Sequence, residues 1–467
     1  MKNCLNLGIS KKKNNKKIVK IYLERQLFLK NYVIINRPMK RIILTFLALT
    51  TLSQSCWAIL DEHKISIKEA IEKALETNPQ IQMLDMDIEI SKNNTKKANK
   101  LQNPSIDVFK SMGNAIESEP QLIGATQKFE LFKRGKRKQH ARAQEAIAQN
   151  NRYFSQYDLI LDVRKAYIDL LLKKSNLNIR KHQQKLASEL YESMQKDVQA
   201  GKIPQTEALQ AKIALNRTIM AVNNAKSNVI FSQNRFNTVL NSSDINYDTK
   251  EDKLNGNYHD LLTIEPTDNL LQFDKIKEFA LQNRYDLKKA KEEVLAAQKN
   301  LEVVKSQLVP DVEVSAGYGY RSASKGDSGS FENGAYVGAS LVNIPLFYQY
   351  KPEIKNAKLE IEKAQLKYKD TEIDALRNIT DAWEKFIVTR ETLNFYNDEL
   401  LSNSKELLDA SIKGLANKEL DLTAFLVSKK TYFDLMLEYQ QALADYYISY
   451  AELVKEMNII EVEREFI

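Results

Sequence analysis

Residues 310 to 320 read Pro310-Asp-Val-Glu-Val-Ser-Ala-Gly-Tyr-Gly-Tyr320. The side chains alternate strictly, with Val312, Val314, Ala316, Tyr318 and Tyr320 on one face and Asp311, Glu313, Ser315, Gly317 and Gly319 on the other. A period of two residues marks a strand with one apolar face. A Gly/Ser-rich loop follows (321–334), and residues 335–347 predict a return strand that ends at Pro345, giving a hairpin with aromatic ends. Each arm has roughly the 9 to 11 residues that a tilted strand needs to cross a bilayer. Strands half-buried in a soluble sheet alternate in the same way, so the pattern alone leaves both a lipid-facing hairpin and a soluble sheet open.

A second, weaker hairpin lies upstream, with Ile106 and Val108 alternating against Ser105 and Asp107, and Ile123, Ala125, Phe129 and Leu131 against Gly124, Thr126, Lys128 and Glu130. The two hairpins belong to a duplication. Residues 74–113 align on 280–319 at a constant offset of 206, pairing Ala74 with Ala280, Pro104 with Pro310 and Val108 with Val314. The register continues with Leu131-Phe132 on Leu346-Phe347 at 215, and with Thr206, Leu209 and Asn241 on Thr423, Leu426 and Asn458 at 217. A period this long is a tandem copy of a whole substructure rather than a solenoid repeat. Four strands cannot close a barrel, for which roughly eight are the minimum. Either several chains combine their strands or the hairpins cap a soluble sheet.

Between the hairpins the chain is helical in character. Only 13 Gly and 9 Pro occur in 467 residues, and 133–198 contains no proline and almost no glycine. At 1.5 Å per residue that stretch predicts a rod on the order of 100 Å long, which no globular core requires. Near the end, Tyr432, Met436, Tyr439, Leu443, Tyr446, Tyr450, Leu453 and Met457 step 4-3-4-3-4-3-4, a coiled-coil seam. The expected counterpart is Leu215, Ile219, Val222, Lys226, Val229, Gln233, Phe236 and Leu240, with two polar breaks. Such seams build long helical hairpins. Their turns are expected at Gly201-Lys202-Ile203-Pro204-Gln205-Thr206, where Gly stops one helix and Thr206 caps the next, and at Asn417-Lys418-Glu419-Leu420-Asp421, with Gly414 and Asn417 as breakers.

The net charge of +8 is misleading, because residues 1–58 hold 12 Lys/Arg against one acidic residue, Glu24, leaving −3 for the rest. Nucleic-acid binding therefore has no electrostatic basis in residues 59–467. From Met39 the sequence reads as a secretory signal: Lys40-Arg41, an apolar run from Ile42 to Leu52, and Ala58 as the cleavage residue. Residues 1–38 are read as a start codon set too early, with a genuine cytoplasmic extension as the alternative. Both cysteines, Cys4 and Cys56, fall in this leader, with lipidation of Cys56 as an alternative fate. After it, no apolar run approaches the roughly 20 residues of a spanning helix. The expected divisions are a leader at 1–58, a first repeat at 59–241, a linker at 242–274, a second repeat at 275–460 and a tail at 461–467.

Chemistry is thinly represented. His63, His140, His182 and His259 are scattered without a ligand-spaced cluster, so no metal site is expected. Asp158 and Asp162 share a helix face but read as solvated rather than as an acid/base pair. No nucleophile constellation or phosphate-binding loop is present, so catalytic residues, cofactors and enzyme activity are not expected.

From about Ile65 to Ile460 the chain resembles the TolC-like outer-membrane efflux proteins. The marks are Ala74-Leu-x-x-Asn78-Pro79 and its repeat Ala280-Leu-x-x-Arg284, the strand openings at Pro104 and Pro310, Leu346-Phe347 after the strands, and Gly201-x-x-x-x-Thr206-x-x-Leu209. The resemblance implies a mainly α fold of two tandem coiled-coil hairpin repeats with a small β part, four strands per protomer entering a 12-stranded barrel of a homotrimer. It also implies Val312, Val314, Ala316, Tyr318 and Tyr320 facing lipid in a Gram-negative outer membrane, helices in the periplasm, and a passive duct for metal or drug. The partners it implies are a periplasmic adaptor and an inner-membrane pump of the RND or ABC type. The adaptor would touch Gly201, Lys202, Ile203, Pro204, Thr206 and residues Asn417, Lys418, Glu419, Leu420 and Asp421. Where relatives carry an acidic constriction this chain has Ala424 and Val427, so Glu419 and Asp421 are the candidate gate. The run Glu130-Leu-Phe-Lys-Arg-Gly135-Lys136-Arg137, with Arg142, is closer to the heavy-metal (CzcC-like) branch than to the drug branch. The competing class is a soluble periplasmic coiled-coil adaptor or scaffold, which shares the seams but has no use for lipid-facing strands.

Overall fold

A computed structural model describes residues 63–110, 121–242, 245–255, 272–320, 334–396 and 399–458. All lie in the second of two units, Glu62–Ile467. The leader with Cys4 and Cys56, His259, the 321–333 loop and the 461–467 tail lie outside the described residues.

The duplication is visible element by element. The first repeat runs β1 (His63–Ile65), α1 (Ile67–Thr77), α2 (Pro79–Ala98), β2 (Ser105–Phe109), β3 (Gln121–Phe129), α3 (Lys133–Gln199) and α4 (Gln205–Val239). After β4 (Tyr247–Thr249) the second runs α5 (Phe273–Asn283), α6 (Tyr285–Ser306), β5 (Asp311–Tyr320), β6 (Gly334–Val342), α7 (Lys351–Tyr396), α8 (Glu399–Ala416) and α9 (Leu422–Met457). The breaks between α1 and α2 and between α5 and α6 are equivalent but differ in chemistry. Asn78 caps α2 by accepting from the Gln80 and Ile81 amides, as its short side chain allows. In its place Arg284 is buried and paired with Asp286 at 2.6 Å and with Glu456 on α9, tying the repeat to the last helix. Burial alone would drive the Arg284 proton off, but the two carboxylates outweigh it and raise its pKa.

The 67-residue α3 is the axis of the unit. It packs on α2 and α4 and also on α6 and α9, which pack in turn on α7. The α4 seam runs through Thr218, Val222, Ala225, Val229, Ser232 and Phe236 rather than through Ile219, Lys226 and Gln233. The reason is steric: Ala, Ser and Thr let the two helices approach, and the Ser232 hydroxyl donates to Asp169 on α3 at 2.6 Å. On α9 the expected seam holds, with Leu443, Tyr450, Leu453 and Met457 buried. The linker docks on the helices through the parallel β1–β4 pair, the Lys174–Asp248 ion pair at 2.6 Å and buried Leu254.

Each hairpin contributes two strands to one antiparallel sheet of order β2-β3-β5-β6. Register pairs Ala125 with Ala316 and Ala316 with Val337, so Ile106, Ala125, Ala316 and Val337 lie across one face. The return strand stops at Val342, short of the expected Pro345, because Asn343 turns into the left-handed region at φ +59°.

Candidate functional site

Two regions concentrate the residues singled out from sequence: the sheet and the hairpin turns. In β5 the apolar face is the exposed one, since Val314, Ala316, Tyr318 and Tyr320 are open while Glu313, Ser315, Gly317 and Gly319 are half-buried. Neighbouring strands agree, with Ile106 78% and Val337 80% exposed on the same face. A sheet in water does the reverse, placing its apolar face on a core. Val312 is half-buried beside Phe129 and Leu341. Tyr318 and Tyr320 stand at the loop end and Phe129, Phe132 and Phe347 at the helix end, so aromatic residues bracket an apolar band.

The other face is polar and closely filled. Tyr336 lies across Gly317 and Gly124, where a Cβ on Gly124 would collide with the phenol oxygen and one on Gly317 would sit 2.8 Å from the ring and 2.6 Å from Gly124 Cα. Thr126 donates to Asp107 at 2.6 Å, and at the helix end buried Asp311 lies 2.7 Å from Lys133 and 3.2 Å from Lys128. Among the described residues the outer edges of β2 and β6 have no strand partner.

At the far ends of the helices both turns are Schellman motifs. In the first, Gly201 has φ +68°, its amide donates to the Val198 carbonyl at 3.0 Å and the Lys202 amide to Asp197 at 2.9 Å. In the second, Lys418 takes the left-handed position at φ +62°, its amide donates to Leu415 at 3.2 Å and the Glu419 amide to Gly414 at 2.8 Å. The breaker is therefore Lys418, not Gly414 or Asn417. Gly414 stays helical and serves close approach, since a Cβ there would lie 3.3 Å from Leu420. The cap of α4 is Pro204, with no side-chain bond, and Thr206 lies inside the helix. Asp421 caps α9, accepting from the Ala424 amide at 2.9 Å. Ile203 and Leu420 pack into a shared apolar cluster with Leu190, Met194, Leu408 and Phe425, which holds the two turns side by side. Lys202 (paired with Asp197 at 3.3 Å), Pro204, Thr206, Asn417 and Glu419 are exposed, as is Val427.

One residue of this region escaped the sequence reading. The α9 seam extends upstream as Leu422, Phe425 and Lys429, in step with Tyr432, and Lys429 is only 4% exposed. Burial lowers its pKa to about 8. The 3-4 spacing was its signal, but a lysine there looks like the end of a seam.

No helix among the described residues is long and apolar enough to cross a membrane. The sheet is the element with an exposed apolar face of bilayer-crossing length, and the same succession of helices accompanies each of its two hairpins. The family model for outer membrane efflux proteins matches residues 70–242 and 278–457, one match per repeat. The chain belongs to the outer membrane efflux protein family. Solved channels with this TolC-like fold include CmeC of Campylobacter jejuni, with TM-score 0.65 and 16% identity over 84% of this chain and 85% of that one. VceC of Vibrio cholerae matches at TM-score 0.65 and 15% identity over 84% and 95%, and the open-state MtrE channel of Neisseria gonorrhoeae at 0.65 and 16% over 84% and 88%. No curated protein sequence matches the chain. The family relationship and the fold together place this chain among efflux channels, mainly α, with two tandem helical hairpin repeats and a four-stranded contribution to a β-barrel.

Proposed function

We propose that the chain is one protomer of a trimeric outer-membrane duct whose helices extend into the periplasm. The observation that carries this is the inverted sheet: among the described residues its apolar face is largely exposed and its two outer edges have no strand partner. Three copies joined edge to edge would give 12 strands, more than the roughly eight a closed barrel needs, with Tyr336, Asp107 and Glu313 inside and Val314, Ala316 and Val337 on lipid. The helices carry matching free stripes. Met83, Met86 and Ile90 on α2 and Leu359, Leu366 and Ile373 on α7 are exposed at heptad-like spacing, at the two ends of the packing order α2, α3, α6, α7. A second copy would cover both.

Such a duct supplies no energy of its own. Transport would be driven by an inner-membrane pump of the RND or ABC type, coupled through a periplasmic adaptor that meets the exposed residues of the Gly201 and Lys418 turns. Glu419 is the freer of the two candidate gate residues, because the Asp421 carboxylate is committed to capping α9. The cargo is a small molecule or ion, metal or drug, chosen by the pump.

The deciding experiment is fractionation of cells expressing the chain, followed by size-exclusion chromatography with light scattering on the detergent-extracted outer membrane. A trimer is expected. A soluble periplasmic monomer or dimer would overturn the duct and leave the coiled-coil adaptor or scaffold in its place.

A further inference from the structure

At the end of the sheet where strands pass into helices, both repeats expose an apolar pair and follow it with cations. After β3, Leu131 and Phe132 are exposed, Phe132 at 77%, and α3 opens with Lys133, Arg134, Lys136, Arg137 and Lys138. After β6, Leu346 is 71% exposed and Phe347 fully so, and α7 opens with Lys351 and continues to Lys355 and Lys358. The two junctions arrive at this by different sequences, Lys-Arg-Gly-Lys-Arg-Lys in one and widely spaced lysines in the other.

Helix stability does not account for the placement. Cations at a helix start oppose the macrodipole, and the first turn of α3 holds no acidic residue to offset them. Nor does internal pairing. Lys133 is taken by Asp311 and Arg137 by Glu130, while Lys299 holds Glu302 and the Tyr348 hydroxyl bonds Glu353. Lys133 and Arg137 are thus neutralised within the protomer. Arg134, Lys136, Lys138, Lys351, Lys355 and Lys358 have no acidic partner among the described residues. An exposed apolar rim continuous with the lipid-facing band, bordered by unneutralised cations, matches a lipid layer with negative headgroups.

Resting on the outer-membrane reading above, we propose that these two junctions form a collar that binds anionic phospholipid of the periplasmic leaflet. Leu131, Phe132, Leu346 and Phe347 enter the acyl boundary and the cations engage the phosphodiester headgroups. The collar fixes the depth of the sheet in the bilayer and the height at which the helices begin.

The test uses the full chain reconstituted in vesicles of phosphatidylethanolamine with a minor share of phosphatidylglycerol, doped with spin-labelled phosphatidylglycerol or phosphatidylethanolamine. The fraction of motionally restricted label reports lipid held at the protein surface. Several-fold enrichment of the phosphatidylglycerol label is expected, falling with added salt as screening requires. It should drop in Arg134→Gln/Lys136→Gln/Lys138→Gln and separately in Lys351→Gln/Lys355→Gln/Lys358→Gln, and persist in Lys181→Gln/Lys212→Gln on distant helix surfaces. Equal restriction of the two labels in a correctly inserted protein, or enrichment unchanged in both triple variants, overturns the collar alone and leaves its cations to an acidic protein partner. Failure to insert into any bilayer overturns the outer-membrane reading and the collar with it.

Discussion

Gly201 and Lys418, 217 residues apart, occupy the same left-handed position of the same helix-ending motif, at φ +68° and +62°. Glycine adopts this conformation freely, whereas a side chain bearing a Cβ does so at a cost of about 1 kcal/mol. The second turn therefore carries strain that the first lacks. Lys418→Gly should slow hydrogen exchange at the Glu419 amide, and Gly201→Ala should speed it at Lys202, each by a factor equivalent to about 1 kcal/mol. Exchange unchanged in both variants would remove the strain argument.

A second prediction concerns the filled face of the sheet. Gly317 leaves no room for a Cβ beside Gly124 and beneath the Tyr336 ring. Gly317→Val should force strands β3 and β5 apart, an overpacking defect of at least about 1 to 3 kcal/mol, and reduce the heat-resistant folded band on unheated gels. Gly319→Ala, whose nearest foreign atom is the movable Leu122 Cδ2 at 3.1 Å, should be tolerated.

How far the sequence discloses this architecture depends on which contacts set each feature. The alternation from Val312 to Tyr320 is a backbone property, and it located the strand and its apolar face without knowledge of any partner. Three positions of the α4 seam, Ile219, Lys226 and Gln233, were read one residue off because adjacent stripes of a 3.6-residue helix are nearly equivalent. Ile219 looks more apolar than Thr218, yet close helix approach favours the smaller side chain. Thr206 lost the cap to Pro204, and Gly414 lost the turn to Lys418, because local propensity is weaker than the geometry fixed by packed hairpins. Lys429 was missed for a related reason: a buried lysine is visible only once its neighbours are placed. What the turns touch depends on other chains and is not encoded in periodicity.

The lipid-facing assignment predicts an asymmetry between adjacent residues. Val314→Arg would place a charge on the exposed apolar face, at about 2 to 4 kcal/mol near the bilayer midplane. Glu313→Arg, on the polar face, should cost far less. Outer-membrane yield should fall sharply for the first and little for the second. Equal yields would contradict the assignment.

Lys429 should make the tip region pH-sensitive. Its folded pKa of about 8 lies below the ordinary 10.5, so between these values the unfolded chain keeps a proton that the folded chain has lost, and stability rises with pH. Below about 8 both states are protonated and the full penalty of burying the ammonium applies. Lys429→Met should therefore raise stability at pH 7 by up to about 3 kcal/mol, with the advantage shrinking towards pH 10. Thermal unfolding of the detergent-solubilised protein at pH 7, 9 and 10 measures this. An advantage independent of pH would mean that Lys429 is hydrated in the folded state.

The open edges of β2 and β6 also bear on how the protein comes into being. In hydrocarbon every unpaired backbone N–H and C=O costs several kcal/mol, so a lone protomer has no tolerable bilayer-inserted form. In the proposed trimer, insertion and subunit recognition would then be a single event, and one defective copy in three would be enough to block it. In a cell making normal and edge-damaged chains in equal amounts, random mixing would leave only about one assembly in eight intact, so a lesion in β2 or β6 would be genetically dominant.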